Sequence, residues 1–406
     1  MKKILSYFFA LSFLFYSNFA SSQWVSTSAT GAGASVSCFH SYTTSIYVGT
    51  FGNGIYKTSN FGVNWTALNS GLSNGTINGI TSTPGGVGLT LFAATDDKVF
   101  KSTNDGLNWT YAGGFSGGNY TRGIGFAGGN LFVATLGAGL QKSTNLGVNW
   151  TAVGGILANE YLTCFASSGT NLYVGVSPVK GVYFSSDNGA SWSTFNTGLT
   201  NMDVKCITVS GGYVYAGTIS GIFKSGMNTA NWSSMGPYYV NNIEVSGNNV
   251  FAATTIGIFM TTNNGLNWFS KNQGLPVSSP NVRCLLNTGG YIYAGYTNAV
   301  WKRSYVEIID IKKISTEVPM KFKLDQNYPN PFNPNTTIRF DLPKKSAYEF
   351  KIYNILGMKV YEENEENLSP GSYNINLNMS TFASGIYFYT LRAGDFFERK
   401  QMILVK

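Results

Sequence analysis

The chain has 406 residues, 48 of them glycine, with 15% aromatic and only 11% charged residues; this fits short strands joined by tight turns and argues against disorder. The formal charge of +8 is not gathered into a stripe of Lys and Arg, so nucleic acid is not an expected partner. At this length two or three domains are expected.

Residues 1–22 read as a secretory signal. Lys2 and Lys3 form a charged start, Ile4 to Phe15 is apolar, and Ala20 and Ser22 are small residues before a cut ahead of Gln23. The bland alternative is an uncleaved N-terminal anchor. No later stretch reaches the roughly 18 apolar residues of a membrane helix, so no membrane span is expected in the mature protein.

Residues 23–304 carry a repeat. Eight tryptophans (24, 65, 109, 150, 192, 232, 268 and 301) recur about every 40 residues, a spacing that marks stacked units unable to bury their apolar faces alone. The first unit divides into four strand-like pieces, Val36–Ser41, Ser45–Thr50, Gly54–Ser59 and Trp65–Leu68. The second piece recurs as SIYVGT, TLFAAT, NLFVAT, NLYVGV, YVYAGT, NVFAAT and YIYAGY. Alternating aromatic and small residues bounded by Gly and Asn are strand signals. Four short antiparallel strands repeated radially make a β-propeller, which leaves only short protected edges. The expected fold class is all-β, with a seven-bladed β-propeller. Trp301 falls in a third strand, leaving the seventh unit (281–304) without its fourth, while Trp24 opens a strand with none before it. The stretch Trp24–Ala29 is therefore expected to close blade seven.

A second signature precedes the tryptophan: Ser102, Asn104, Gly106, Trp109; Ser143, Asn145, Gly147, Trp150; and Ser185, Asp187, Gly189, Trp192. Looser copies run from Thr58 to Trp65 and Thr261 to Trp268, and a degenerate one has Thr229 in place of glycine. The polar side chain can bond backbone N–H groups of a hairpin, glycine permits positive φ, and tryptophan is expected to pack back over the turn. This resembles the Asp-box (BNR) repeat, S-x-D-x-G-x-x-W, of sialidase-like propellers, with Asn mostly replacing Asp. The resemblance implies a structural hairpin away from the ligand face and no metal there. The repeats also resemble those of photosystem assembly-factor propellers.

Cys38, Cys164, Cys206 and Cys284 all fall in first strands. Equivalent positions point the same way round a ring, so their Cβ vectors do not converge as a disulfide requires, and free buried thiols are expected. His40, the only histidine, is expected to be a satisfied polar residue inside the ring.

Catalysis has thin support. No Walker loop or HExxH occurs and no G-x-S-x-G nucleophile elbow is expected, nor is a cofactor or metal. Sialidases of the resembling superfamily use three arginines, an acid and a Tyr–Glu pair; here the repeats hold Arg122, Arg283 and Arg303. Glu160 and Asp203, near first-strand entrances of neighbouring blades, are the weak catalytic candidates, since paired carboxylates roughly 5–9.5 Å apart serve glycoside hydrolysis. A non-catalytic binding module for a glycan or protein is the leading expectation. A glycoside hydrolase of the sialidase-like or xyloglucanase-like kind and a structural envelope component are the alternatives. The expected binding face comprises the loops entering each first strand and those joining strands two and three.

Residues 305–320 carry no repeat signature and read as a linker. Residues 321–406 alternate apolar runs with LPKKS, NILGMK and SPGS turns, the pattern of a small Ig-like β-sandwich. This stretch resembles the type A C-terminal sorting domain of the type IX secretion system, on Asn327 to Pro334 (NYPNPFNP), Leu356-Gly357, Gly371-x-Tyr373, Gly385-x-Tyr387, Lys400 and the final Lys406. The resemblance implies export through the periplasm to the cell surface or medium. The implied partners are the secretion machinery and its sorting protease, and the implied cut lies in the linker. An Ig-like adhesive module is the bland alternative.

Overall fold

A computed structural model describes residues 23–27, 35–84, 88–113, 120–262, 264–266, 268–276, 281–308, 311–315, 317–379 and 382–406. The signal sequence lies outside these, as do Ser28 and Ala29.

Residues 24–304 form seven four-stranded antiparallel sheets among the described residues. Sheet one consists of Ser35–Tyr42, Ser45–Phe51, Ile55–Thr58 and Thr66–Ala67 in spatial order. Sheets two to six repeat that order from inner strands Ile77–Ser82, Thr121–Ala127, Tyr161–Ser168, Val204–Ser210 and Val240–Ser246. Sheet seven runs Cys284–Thr288, Tyr291–Gly295, Val300–Ser304 and then Val25–Thr27, the latter pairing antiparallel as Val25↔Lys302 and Thr27↔Val300. Each inner strand contacts the next, and that of sheet seven contacts that of sheet one, so the sheets close a ring. Second strands lie between neighbouring sheets and are buried on both faces: Ile46 to Thr50 are all buried. That explains the mixture of one aromatic with small residues, since two facing sheets must approach over each such strand. Outer strands are two to four residues long and mostly exposed, which leaves little edge for pairing with another chain.

An irregularity recurs in the inner strand. The register shifts between Val36 and Cys38, and equivalently in sheets two to six. This bulge turns the strand so that Val36 sits against sheet seven, under Gly295, while Cys38 faces Ile77 of sheet two.

Residues 311–406 form two further four-stranded sheets. One runs Ile311–Ser315, Gly371–Asn378, Asn335–Leu342, Lys323–Leu324; the other Lys359–Leu368, Ser346–Asn354, Gly385–Ala393, Phe396–Leu404. They face each other through Phe340 and Tyr348, whose rings stack at 5.5 Å. The expected linker differs here: Tyr305–Ile308 is a short helix, and Ile311–Ser315 is an edge strand of the tail, paired as Ile311↔Ile375. The run Ile311-Lys-Lys-Ile314 lacks the period-two alternation that marks a strand, so this edge strand carries no signal in the sequence. Tyr305 and Ile308 belong to one apolar cluster that runs from sheets six and seven into the tail.

Candidate functional site

The loop face is built from pairs of neighbouring loops. Gly52 and Gly54 N–H groups donate to Gly75 O, Gly137 and Gly139 to Glu160 O, Gly181 to Met202 O and Ile219 to Asp203 O. The loops between strands two and three of sheets one, three and four therefore grip the segment entering the next sheet, whereas the Ile219 bond stays within sheet five. At the bulges, Ser37, Thr163 and Asn241 donate to the carbonyls of Ile77, Val204 and Val282 in the next sheet. Arg122, Lys205 and Arg283 occupy equivalent bulge positions; Arg122 is exposed and the Arg283 guanidinium lies 5.1 Å from the Phe51 ring. Arg303 is elsewhere, buried on a third strand, and the three arginines of the repeats do not converge on one anion site.

Glu160 and Asp203 stand at the entrances of sheets four and five, each with its own cation. Lys180 Nζ lies 2.6 and 2.8 Å from the two Glu160 oxygens, and Lys205 Nζ lies 2.9 Å from Asp203. The Glu160 carboxylate also holds the Lys180 ammonium above its ordinary value. A cleft of about 640 Å³ lies between sheets six and seven and the tail, lined by Met260, Trp268, Arg303, Thr336 and Tyr361 among others; neither candidate acid borders it.

His40 Nε2 lies 3.0 Å from Ser82 Oγ of the next sheet, and burial pushes its imidazole down to about 4. The equivalent Glu244 accepts from Asn287 N–H at 3.2 Å, and burial raises its carboxyl to about 7. All four cysteines are free thiols, and burial pushes Cys38 and Cys164 up to about 11. Such thiols carry little thiolate and are poor nucleophiles.

The repeated hairpins share one bonding pattern. Ser102, Ser143 and Ser185 hydroxyls accept from Gly106, Gly147 and Gly189 N–H, each at 2.9 Å. Asn104, Asn145 and Asp187 oxygens accept from N–H groups of residues 108, 149 and 191, at 3.0, 2.8 and 2.9 Å. The residue before each glycine also has positive φ: Phe61, Asp105, Leu146, Asn188 and Asn264. Hydrogen bonds from Ser191 hold the Asp187 carboxyl well below the usual carboxylate range.

The tryptophans reach farther than the expected packing over their own turns. Trp109 Nε1 donates to Leu68 O at 2.9 Å, Trp150 to Ala112 O at 2.9 Å, Trp232 to Phe195 O and Trp268 to Met235 O at 2.6 Å. Each acceptor lies within one residue of the end of the preceding sheet's outer strand. Trp24 does the same across the closure, donating to Lys271 O of sheet six at 2.6 Å. Trp192 departs from the pattern and donates to Gly189 O of its own turn at 3.2 Å. A third-strand lysine reaches the opposite way: Lys142 Nζ donates to Asn188 O, Lys224 to Asn264 Oδ1 and Lys302 to Phe61 O, at 3.2, 2.8 and 2.8 Å, and Lys57 pairs with Asp105. These lysines lacked a sequence signal beyond their recurrence.

In the tail, both Gly-x-Tyr motifs open strands. Tyr373 and Tyr387 are buried, and their hydroxyls donate four residues back to Ser369 O at 2.6 Å and Ala383 O at 2.7 Å. Gly371 and Gly385 begin these strands with φ near 150°. Lys400 pairs with Glu398 at 2.9 Å, and Lys406 N–H donates to Ser384 Oγ at 3.1 Å. The Asn-Pro segment borders the last strand: Phe332 N–H donates to Ile403 O and Val405 N–H to Phe332 O, both at 2.9 Å.

Among curated protein sequences none matches the chain. Three similar solved structures differ in what they do. PorZ, an essential bacterial surface component of the type IX secretion system of Porphyromonas gingivalis, superposes with a TM-score of 0.59 at 15% identity, over 93% of this chain and 60% of that one. YCF48 bound to D1 peptide gives 0.57 at 13%, over 74% and 98%. An ancestral GH74 enzyme gives 0.54 at 16%, over 92% and 60%. At these identities the likeness is one of fold, and the chain spans about 60% of the length of PorZ. No helix among the described residues is long and apolar enough to cross a membrane. Residues 326–406 match the secretion system C-terminal sorting domain, so the all-β ring of sheets travels with an address that implies export by type IX secretion to the cell surface or beyond.

Proposed function

We propose that the protein is an exported, seven-bladed Asp-box β-propeller that acts at the cell surface as a non-catalytic binding module for a glycan or protein. Val25–Thr27 closes the ring, and an Ig-like sandwich delivers it and is removed by the sorting protease. The observation that carries the reading is the sorting-domain match over residues 326–406 behind a ring of sheets. Two features favour binding over hydrolysis: the candidate acids are each paired with a lysine, and the loops are held as a fixed scaffold by backbone hydrogen bonds between them.

A glycan array run beside a polysaccharide-hydrolysis screen tests it. Retention of a glycan or protein without reducing-end release is the expected result. Reducing-end release that Glu160→Gln abolishes would replace this reading with a glycoside hydrolase.

A further inference from the structure

The Gly-x-Tyr tyrosines and Lys400 are poor candidates for being read directly. Tyr373 and Tyr387 are buried with their hydroxyls bonded to the chain four residues back, and Lys400 is neutralised by Glu398. What a partner meets is the solvent face of the sheet carrying Ser346–Asn354, Gly385–Ala393 and Phe396–Leu404. A groove of about 530 Å³ lies there, walled by Tyr353, Phe388, Arg392, Phe397 and Arg399.

The Arg399 guanidinium stacks over Phe388 at 4.0 Å and that of Arg392 over Phe397 at 5.2 Å. Both arginines are exposed, and among the described residues neither is ion-paired. Lys351, beside them, is already held by Glu349 and Glu362 at 2.7 and 3.3 Å. The groove's uncompensated charge is therefore two stacked guanidiniums whose N–H edges remain available. At one end the hairpin tip exposes Ile355 and Leu356 at 69% and 75%, with Met358 beside them at 56%. Adjacent exposed apolar side chains of this size mark contact surfaces.

We infer that this groove is where the secretion machinery docks, and that its occupant is an acidic polypeptide segment with apolar neighbours. Carboxylates would take the guanidinium edges, and the apolar neighbours would cover the Phe388, Phe397 and Ile355–Leu356 surface. The inference rests on the tail acting as a sorting domain. Charge alone would equally suit phosphate on a surface glycolipid, but the apolar tip and aromatic walls favour a polypeptide.

The test uses the full chain in a bacterium with type IX secretion, comparing periplasmic, surface and medium fractions. Arg392→Glu/Arg399→Glu is expected to lower export at least tenfold, while Arg392→Lys/Arg399→Lys retains most of it. Arg392→Gln/Arg399→Gln, with an unchanged melting curve, guards against loss through misfolding and should also fall severalfold. Export of the Glu pair at the wild-type level, while deletion of 385–406 traps the protein, overturns the groove and leaves the sorting reading intact. Export of the deletion as well removes the sorting reading itself. A Glu pair that crosses the outer membrane but appears in the medium instead of on the surface overturns the polypeptide occupant in favour of a phosphate-bearing glycolipid.

Discussion

Cys206 and Gly217 face each other across the first two strands of sheet five, and a Cβ at Gly217 would fall 2.5 Å from Cys206 Sγ. Cys38 faces Gly49, Cys164 faces Gly175 and Cys284 faces Gly295, whereas Gly79, Gly123 and Asn242 face Ala94, Ala134 and Ala253. In all but the Asn242 pair volume is exchanged across the pair, as close packing demands. Gly217→Ala should cost about 1–3 kcal/mol by overpacking, and Cys206→Gly in the same chain should restore part of it. Urea midpoints of both single variants and the double variant measure this coupling; strict additivity would contradict it. The sequence showed the four cysteines as equivalent positions but not this pairing, because the register that opposes them passes through a bulge. His40 and Glu244 supply a second check. The His40 imidazole, lowered from 6.5 to about 4, is bound to fewer protons in the folded chain, so its contribution is lost as pH falls through that window. The Glu244 carboxyl, raised from 4.5 to about 7, binds more, so its contribution is lost as pH rises through that window. The two oppose, each on the order of 3 kcal/mol. Melting temperature should therefore rise with pH between 4 and 6.5 in Glu244→Gln and fall between 4.5 and 7 in His40→Asn. Parallel profiles in the two variants would refute these assignments.

At the scale of elements, neighbouring sheets are tied in both directions: tryptophan backward to an outer-strand carbonyl, lysine forward to a hairpin tip. Counting strands in the sequence left one sheet short of an outer strand and one tryptophan strand without a sheet. The Val25↔Lys302 pairing joins them. The tryptophan ladder was legible because its period is fixed, but the direction of each indole was not, since packing over the turn and reaching the preceding sheet give the same spacing. Trp24 is 2% exposed and bonds sheet six, so Trp24→Ala should cost roughly 3–5 kcal/mol. Denaturant unfolding measures this, and an unchanged midpoint would mean that the N-terminal strand adds nothing to closure. The linker was the element least legible: Ile311–Ser315 does not alternate and has no repeat neighbour to compare with, and its partner, Gly371–Asn378, lies some sixty residues downstream.

The whole molecule joins a ring whose ligand chemistry is quiet to a tail whose address is explicit. The ring's polar side chains are largely committed to holding sheets together, from Ser102 and Asn104 within a turn to Glu160 beside Lys180. That is why its function was less legible than its fold: the residues with the strongest sequence signal maintain the scaffold, and the loop face presents mostly backbone. In the tail the position is reversed, because most of the motif fixes the sandwich and thereby displays a surface on which only Leu356-Gly357 belongs to a motif. Glu160→Gln should leave ligand retention within about twofold of the parent protein, since an exposed ion pair is worth little; binding measured on the ligand that the array identifies checks this. The central claim is that the tail exports the ring, and cell fractionation of the full chain against a chain lacking Gly385–Lys406 tests it most directly. The account predicts the full chain at the surface or in the medium and the truncated chain held in the periplasm; equal surface display of the two would contradict it.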